Sequence, residues 1–127
     1  MKMGETRTIV RLHGEKGSED IELLVDTGAL YTKISPSLAK RLGIVPNETI
    51  SVKLADGSIK EAGLADAKVE YGSSKRAIPV LVGPGDELLL GVTTLETLRL
   101  KVNPVTCSLE QVVTYLFSSG ATPAVVR

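Results

Sequence analysis

Apolar and polar positions alternate along most of this chain, in short runs broken by turn residues. In residues 6–13, Thr8, Val10 and Leu12 fall on one side, and Arg7, Ile9 and Arg11 on the other. That period of two predicts a half-exposed strand. Gly14, Glu15, Lys16, Gly17 and Ser18 form a turn. Residues 20–25 form a second strand that becomes wholly apolar toward Asp26. The two strands should pair as a hairpin, with the second the more buried.

The pattern then changes. Residues 30–34 read as irregular, then extended. Ser35 and Pro36 predict a helix start, serine at the N-cap and proline at the first helical position. The helix covers residues 36–42, with Leu38 and Leu42 on one face and Gly43 as its stop. Pro46, Asn47 and Glu48 form a turn. Residues 49–54 alternate again, with Ile50, Val52 and Leu54 on one face. Asp56-Gly57 then predicts a type I′ hairpin turn, with the chain returning over residues 58–63. Lys53, Asp56, Ser58, Lys60 and Glu61 cannot all be buried. This hairpin therefore projects, either as an ordinary surface hairpin or as a mobile flap over a cleft.

Residues 65–71 alternate as a strand, residues 72–75 turn, and residues 77–82 form another strand. Pro79 within that strand requires an edge position or a bulge. Residues 83–86 are a loop. Leu88, Leu89 and Leu90 run into Gly91 as a short buried strand. Leu95 and Leu98 place a short helix over residues 92–98, and residues 99–102 alternate as a strand ended by Asn103-Pro104. Residues 108–117 suit a strand but also fit a helix, and residues 118–127 read as a loose tail. Short strands, many turns and two short helices predict a mainly β domain.

Composition narrows the function. A chain of 127 residues with 43% apolar content supports one globular domain with a real core. Residues 1–117 are assigned to that domain and 118–127 to a flexible tail. Formal net charge is zero, which favours neither nucleic acid nor an anionic membrane as partner. One cysteine, Cys107, excludes an internal disulfide and suits a reducing compartment. Residues 1–13 lack the apolar segment of a secretory signal, so a cytoplasmic location is expected. With one histidine and one cysteine far apart, a metal centre or a Cys-His nucleophile has little to build on. No cofactor is expected, and any catalysis must rest on carboxylates.

The candidate is Asp26. Leu23, Leu24 and Val25 lead straight into Asp26, Thr27, Gly28 and Ala29. A carboxylate at the end of a buried strand is costly unless something uses it, and Gly28 permits a sharp turn or close approach. Read blandly, the triplet is an ordinary turn, since all three residue types favour turns. Peptide hydrolysis by carboxylates needs two of them sharing a proton, one acting as base on water and the other as acid. The chain holds one Asp-Thr-Gly and no second, and Asp56-Gly57-Ser58 has the wrong order at a hairpin tip. A two-fold dimer would supply the second acid by placing Asp26 opposite its own copy.

With these features in order, the chain resembles the retropepsin-like aspartic proteases, as a prokaryotic-type single-domain member. Leu24-Val25-Asp26-Thr27-Gly28-Ala29 is similar to that family's active-site stretch. The hairpin at Leu54, Ala55, Asp56 and Gly57 stands where the family has its flap. Leu88-Leu89-Leu90-Gly91 and the helix after it resemble the second signature, an apolar pair, a glycine and a short helix. The resemblance implies a half-barrel fold completed as a homodimer, with catalytic Asp26 and with Thr27 and Gly28 as active-site support. Thr27 is expected to brace the two loops across the dimer. Gly28, Ala29, Leu54, Ala55, Asp56 and Gly57 are expected to bind an extended peptide or protein substrate, with no nucleic-acid or membrane partner. Two departures occur together. Retroviral members carry an ion pair where this chain has Leu30 and Val92, and an apolar contact is expected in its place. The implied activity is aspartic endopeptidase. The alternative is a non-catalytic peptide-binding or dimerisation module that keeps the fold.

Overall fold

The computed structural model of the chain describes residues 4–113. The loose tail expected at 118–127, and the end of the segment expected at 108–117, lie outside the described residues. The first hairpin joins β1 (Arg7–His13) to β2 (Ser18–Val25). Then come β3 (Thr32–Ile34), α1 (Pro36–Leu42), β4 (Glu48–Lys53) and β5 (Ile59–Tyr71). The chain continues through β6 (Ser74–Val82), β7 (Leu89–Leu90), α2 (Val92–Leu98), β8 (Leu100–Asn103) and β9 (Ser108–Gln111).

Seven strands form one sheet in the order β1-β2-β7-β3-β6-β5-β4, and β1 also pairs with β5. That extra pairing closes six of the strands into a ring and leaves β4 as an outlying edge. Strand β5 explains the closure. Its first half pairs with β4, from Glu48↔Leu64 to Lys53↔Ile59. On the same side its second half pairs with β1, through His13↔Lys68 and Arg11↔Glu70. Residues 58–63 and 65–71, expected as two runs, are therefore one 13-residue strand. Two neighbours share its length, so its hydrophobic pattern changes where the partner changes.

The ring interior is filled from one face of each strand's alternation. Leu12, Leu23, Ile34, Ile78, Val80 and Leu90 are all at most 1% exposed. Burying each such side chain contributes roughly 1.5–3 kcal/mol. Leu38 and Leu42 of α1, with Leu95 and Leu98 of α2, complete the same core. Helix α1 forms as its sequence dictates. Ser35 Oγ accepts from the Leu38 N–H at 3.2 Å, and Gly43 closes the helix at φ 73°. Pro79 lies one residue beyond the part of β6 that β3 covers, since that pairing begins at Thr32↔Val80. It is the edge position its missing N–H requires. Strands β8 and β9 form a separate two-stranded sheet. Among the described residues no helix is long and apolar enough to cross a membrane.

Candidate active site

Strand β2 delivers Asp26, and its end is held on both sides. On one side the Leu24 N–H donates to Leu88 O at 3.0 Å and the Asp26 N–H to Leu90 O at 2.9 Å. On the other, the Val25 N–H donates to Thr6 O at 2.8 Å. The chain then turns at once. The Ala29 N–H donates back to Asp26 O at 3.1 Å, and the Gly28 N–H donates to Asp26 Oδ1 at 3.0 Å. A Cβ at position 28 would stand 3.3 Å from that oxygen, tight enough to disturb it. The Asp26 carboxylate is half-buried and Thr27 and Gly28 are exposed. Its second oxygen, Oδ2, has no hydrogen-bond partner among the described residues.

Behind this loop stands α2. The first N–H groups of a helix have no partner inside it. Here two of them are satisfied by the Asp26 loop: Val92 N–H donates to Ala29 O at 2.8 Å, and Thr93 N–H to Leu30 O at 2.9 Å. The Gly91 N–H donates to Thr32 Oγ1 at 3.1 Å, and the Thr32 and Thr94 hydroxyls lie 2.6 Å apart. Both threonines are buried, Thr94 completely. Gly91 must be glycine, because a Cβ there would meet the Tyr31 carbonyl carbon and oxygen at 2.4 Å. Helix and loop thus touch main chain to main chain.

The segments carrying Leu30 and Val92, where an apolar contact is expected, are joined through their main chains. Leu30 is 61% exposed, and the link is the backbone bond from Thr93 to Leu30. A main-chain bond of this kind needs no particular side chain at position 30.

The hairpin of β4 and β5 carries Leu54, Ala55, Asp56 and Gly57 at its tip. Its turn differs from the type I′ expected. Leu54 O accepts from the Gly57 N–H at 2.9 Å, and the Leu54 N–H donates to Ser58 O at 2.8 Å. Gly57 has φ 88°, and Asp56 is not among the residues of positive φ. This is a three-residue loop with glycine in the left-handed position. Type I′ would need positive φ at Asp56 too, a strain the longer loop avoids. Asp56 Oδ1 accepts from the Ser58 hydroxyl at 2.6 Å and from its N–H at 2.8 Å. These two bonds, the hydroxyl's first, hold the Asp56 carboxyl below its ordinary value of 3.8. Residues 55–61 are exposed, so the hairpin projects as expected. No hydrogen bond ties its tip to the Asp26 loop among the described residues.

The arrangement presents one carboxylate on a rigid loop, anchored through one oxygen and open at the other. Such a group can accept or deliver a proton at Oδ2. Among the described residues no cluster of three or more His, Cys, Asp or Glu side chains could hold a metal ion. The model of the family described as "gag-polyprotein putative aspartyl protease" matches residues 12–97, more than half of the chain. The chain belongs to this family. Its fold agrees with a solved member of the protease class, the EIAV protease complexed with the inhibitor HBY-793. That match has a TM-score of 0.63 at 19% identity, and it covers 78% of this chain and 92% of the viral one. In all, 232 solved chains match. A search among curated proteins found no match.

The two stretches singled out in the sequence are brought together here: Leu24 and Val25 of β2 pair with Leu89 and Leu90 of β7, with the Asp26 loop and α2 following them. The hairpin tip is not joined to them. Sequence reasoning missed Thr32 and Thr94. They are 62 positions apart, and no local pattern distinguishes either from an ordinary strand or helix threonine.

Proposed function

We propose that this chain is an aspartic endopeptidase that works as a homodimer, with water activated between Asp26 and the Asp26 of a second copy. The observation that carries this reading is the Asp26 loop in a member of this family. Backbone bonds fix the carboxylate at the end of β2, yet leave Oδ2 open. A single such group cannot be base on water and acid on the scissile carbonyl at once, whereas two sharing a proton can. A two-fold axis through the exposed face of the loop supplies the pair. Thr27, exposed beside it, then braces one loop against the other.

The substrate is a peptide held extended, by strand-like main-chain contacts. The N–H groups of Gly28 and Ala29 are already engaged inside the loop. Ala29 O is engaged as well, by the Val92 N–H at 2.8 Å, so the main-chain group left to meet a substrate N–H is the Gly28 carbonyl oxygen, with Ala29 contributing side-chain contact. The hairpin tip at Leu54, Ala55, Asp56 and Gly57 closes over the peptide from the other side. The lone Cys107 supports action in a reducing compartment such as the cytoplasm. Neither nucleic acid nor a membrane is a partner on this reading.

The test is cleavage of a peptide library across pH by the purified chain, with Asp26→Asn as control. Cleavage by the wild type and none by the variant is the expected result. Cleavage that survives in Asp26→Asn overturns the mechanism. Binding without cleavage at every pH makes the chain a peptide-binding module instead.

A further inference from the structure

The change of partner along β5 leaves a gap. Pairing with β4 ends at Leu64 and pairing with β1 begins at Lys68. On that side residues 65–67 have no strand partner. The direction of the main chain there follows from its neighbours. Leu64 O accepts from the Asn47 N–H at 3.0 Å and Ser58 O from the Leu54 N–H, so even-numbered residues of β5 point their main-chain groups toward this side. Alternation then aims both the N–H and the C=O of Asp66 into the gap. Pro79, with no N–H to give, stands opposite Asp66 on the far side, which agrees.

The gap opens into a cavity of about 580 Å³ lined by His13, Glu15, Asn47, Asp66, Lys68 and Lys75. Its walls are preformed. A Cβ on Gly14 would meet the Leu42 carbonyl oxygen, and one on Gly43 would meet Lys16 at 2.7 Å, so turn and helix end are packed in direct contact. His13 is engaged with Glu70 at 2.8 Å, and Asp66 Oδ2 accepts from Asn47 Nδ2 at 3.3 Å. Glu15, Lys68 and Lys75 form no ion pair among the described residues. Val45, on the rim, is 74% exposed.

We propose that this opening binds a short zwitterionic peptide, whose central residue pairs with the Asp66 main chain while its carboxylate meets Lys68 and Lys75 and its ammonium group meets Glu15. An extended residue offers the N–H and C=O that Asp66 lacks, as in strand addition. The volume lies within the range of small-ligand sites, and Val45 suits a small apolar side chain. The site is separate from Asp26. His13 and Ser18 pair at the start of β2 and Asp26 follows its end, roughly 26 Å away along the strand. It does not depend on the proposed peptidase activity.

The test is titration of the full ¹⁵N-labelled chain with tri-alanine, in the wild type and in Asp26→Asn. Amide shifts centred on Asp66, Asn47 and Gly14, the same in both proteins, are expected. Capping both ends of the peptide should weaken binding. Lys68→Gln combined with Lys75→Gln, both exposed positions, should weaken it roughly three- to tenfold. No shifts at Asp66, shifts confined to residues 26–29, or equal binding of the capped peptide or by the double variant, would overturn the assignment. Binding at Asp66 by a chain that cleaves nothing leaves it standing.

Discussion

Two buried contacts hold the Asp26 loop in its place against α2. The first is the approach of Gly91 to Tyr31 and Ala29. Gly91→Ala places a methyl 2.4 Å from main-chain atoms, and neither partner can move without shifting the Asp26 loop. We expect a loss of roughly 3 kcal/mol, read from the denaturation midpoint. The second is the Thr32–Thr94 pair. Thr94→Val leaves the Thr32 hydroxyl with only the Gly91 N–H, in a region closed to water. The expected cost is about 1–3 kcal/mol. Thr32→Val should cost at least as much, because it also strands the Gly91 N–H. Equal stability of wild type and either variant by chemical denaturation would contradict this account. Asp56 is different, since its bonds serve a surface turn. Its folded value is lowered, so its contribution is complete above 3.8 and is lost as pH falls through the lowered value. Ser58→Ala removes the larger of the two bonds, and the Asp56 titration midpoint followed by NMR should rise toward 3.8. An unchanged midpoint would mean that the hydroxyl bond does not persist in solution.

Elements differ in how firmly they are held. The β1–β2 hairpin is fixed by β5 and β7, and β2 is further tied to α1. Arg41 donates to both oxygens of Glu19, at 3.0 and 3.1 Å, and this pairing lowers the Glu19 value. The β4–β5 hairpin has no second layer beyond residue 53. Its main-chain bonds face water and Ile59 is 70% exposed. Residues with few buried contacts open at the low end of the stability range. Hydrogen exchange should therefore be fast over residues 53–60 and slow in β2 and β6. A peptide-like inhibitor should slow the hairpin if it closes over substrate. Protection at 53–60 matching the core strands would argue against a flap.

For the whole molecule, the proposed dyad makes activity a property of two chains. The first proton leaves the paired acids easily, and the second is held because its loss puts two negative charges side by side. Peptidase activity should follow a bell-shaped pH profile on the acidic side of neutrality, reporting the pair. Activity should also fall faster than protein concentration on dilution. Asp26→Asn removes both acids at once, because one gene supplies both, and it relieves their repulsion. Its dimer, measured by sedimentation, should be at least as tight as the wild type's. A wild type that stays monomeric while cleaving peptides would sink the shared-dyad mechanism.

Local chemistry alone determined a good part of this protein. Alternation set the strands, Ser35-Pro36 and Gly43 bounded α1, and the run into Asp26-Thr27-Gly28 marked the candidate loop. Each is a short-range preference of a few residues for one backbone geometry. The sequence pattern stopped short where a residue's role depends on distant partners. One strand over residues 59–71 exists because β4 and β1 share its edge, which no window of the chain contains. The three-residue hairpin loop was chosen by the backbone cost at Asp56. Thr32 and Thr94 matter only because folding brings them within 2.6 Å in a place without water. The loop is held to α2 by main-chain bonds at Ala29 and Leu30, which no side-chain pattern announces.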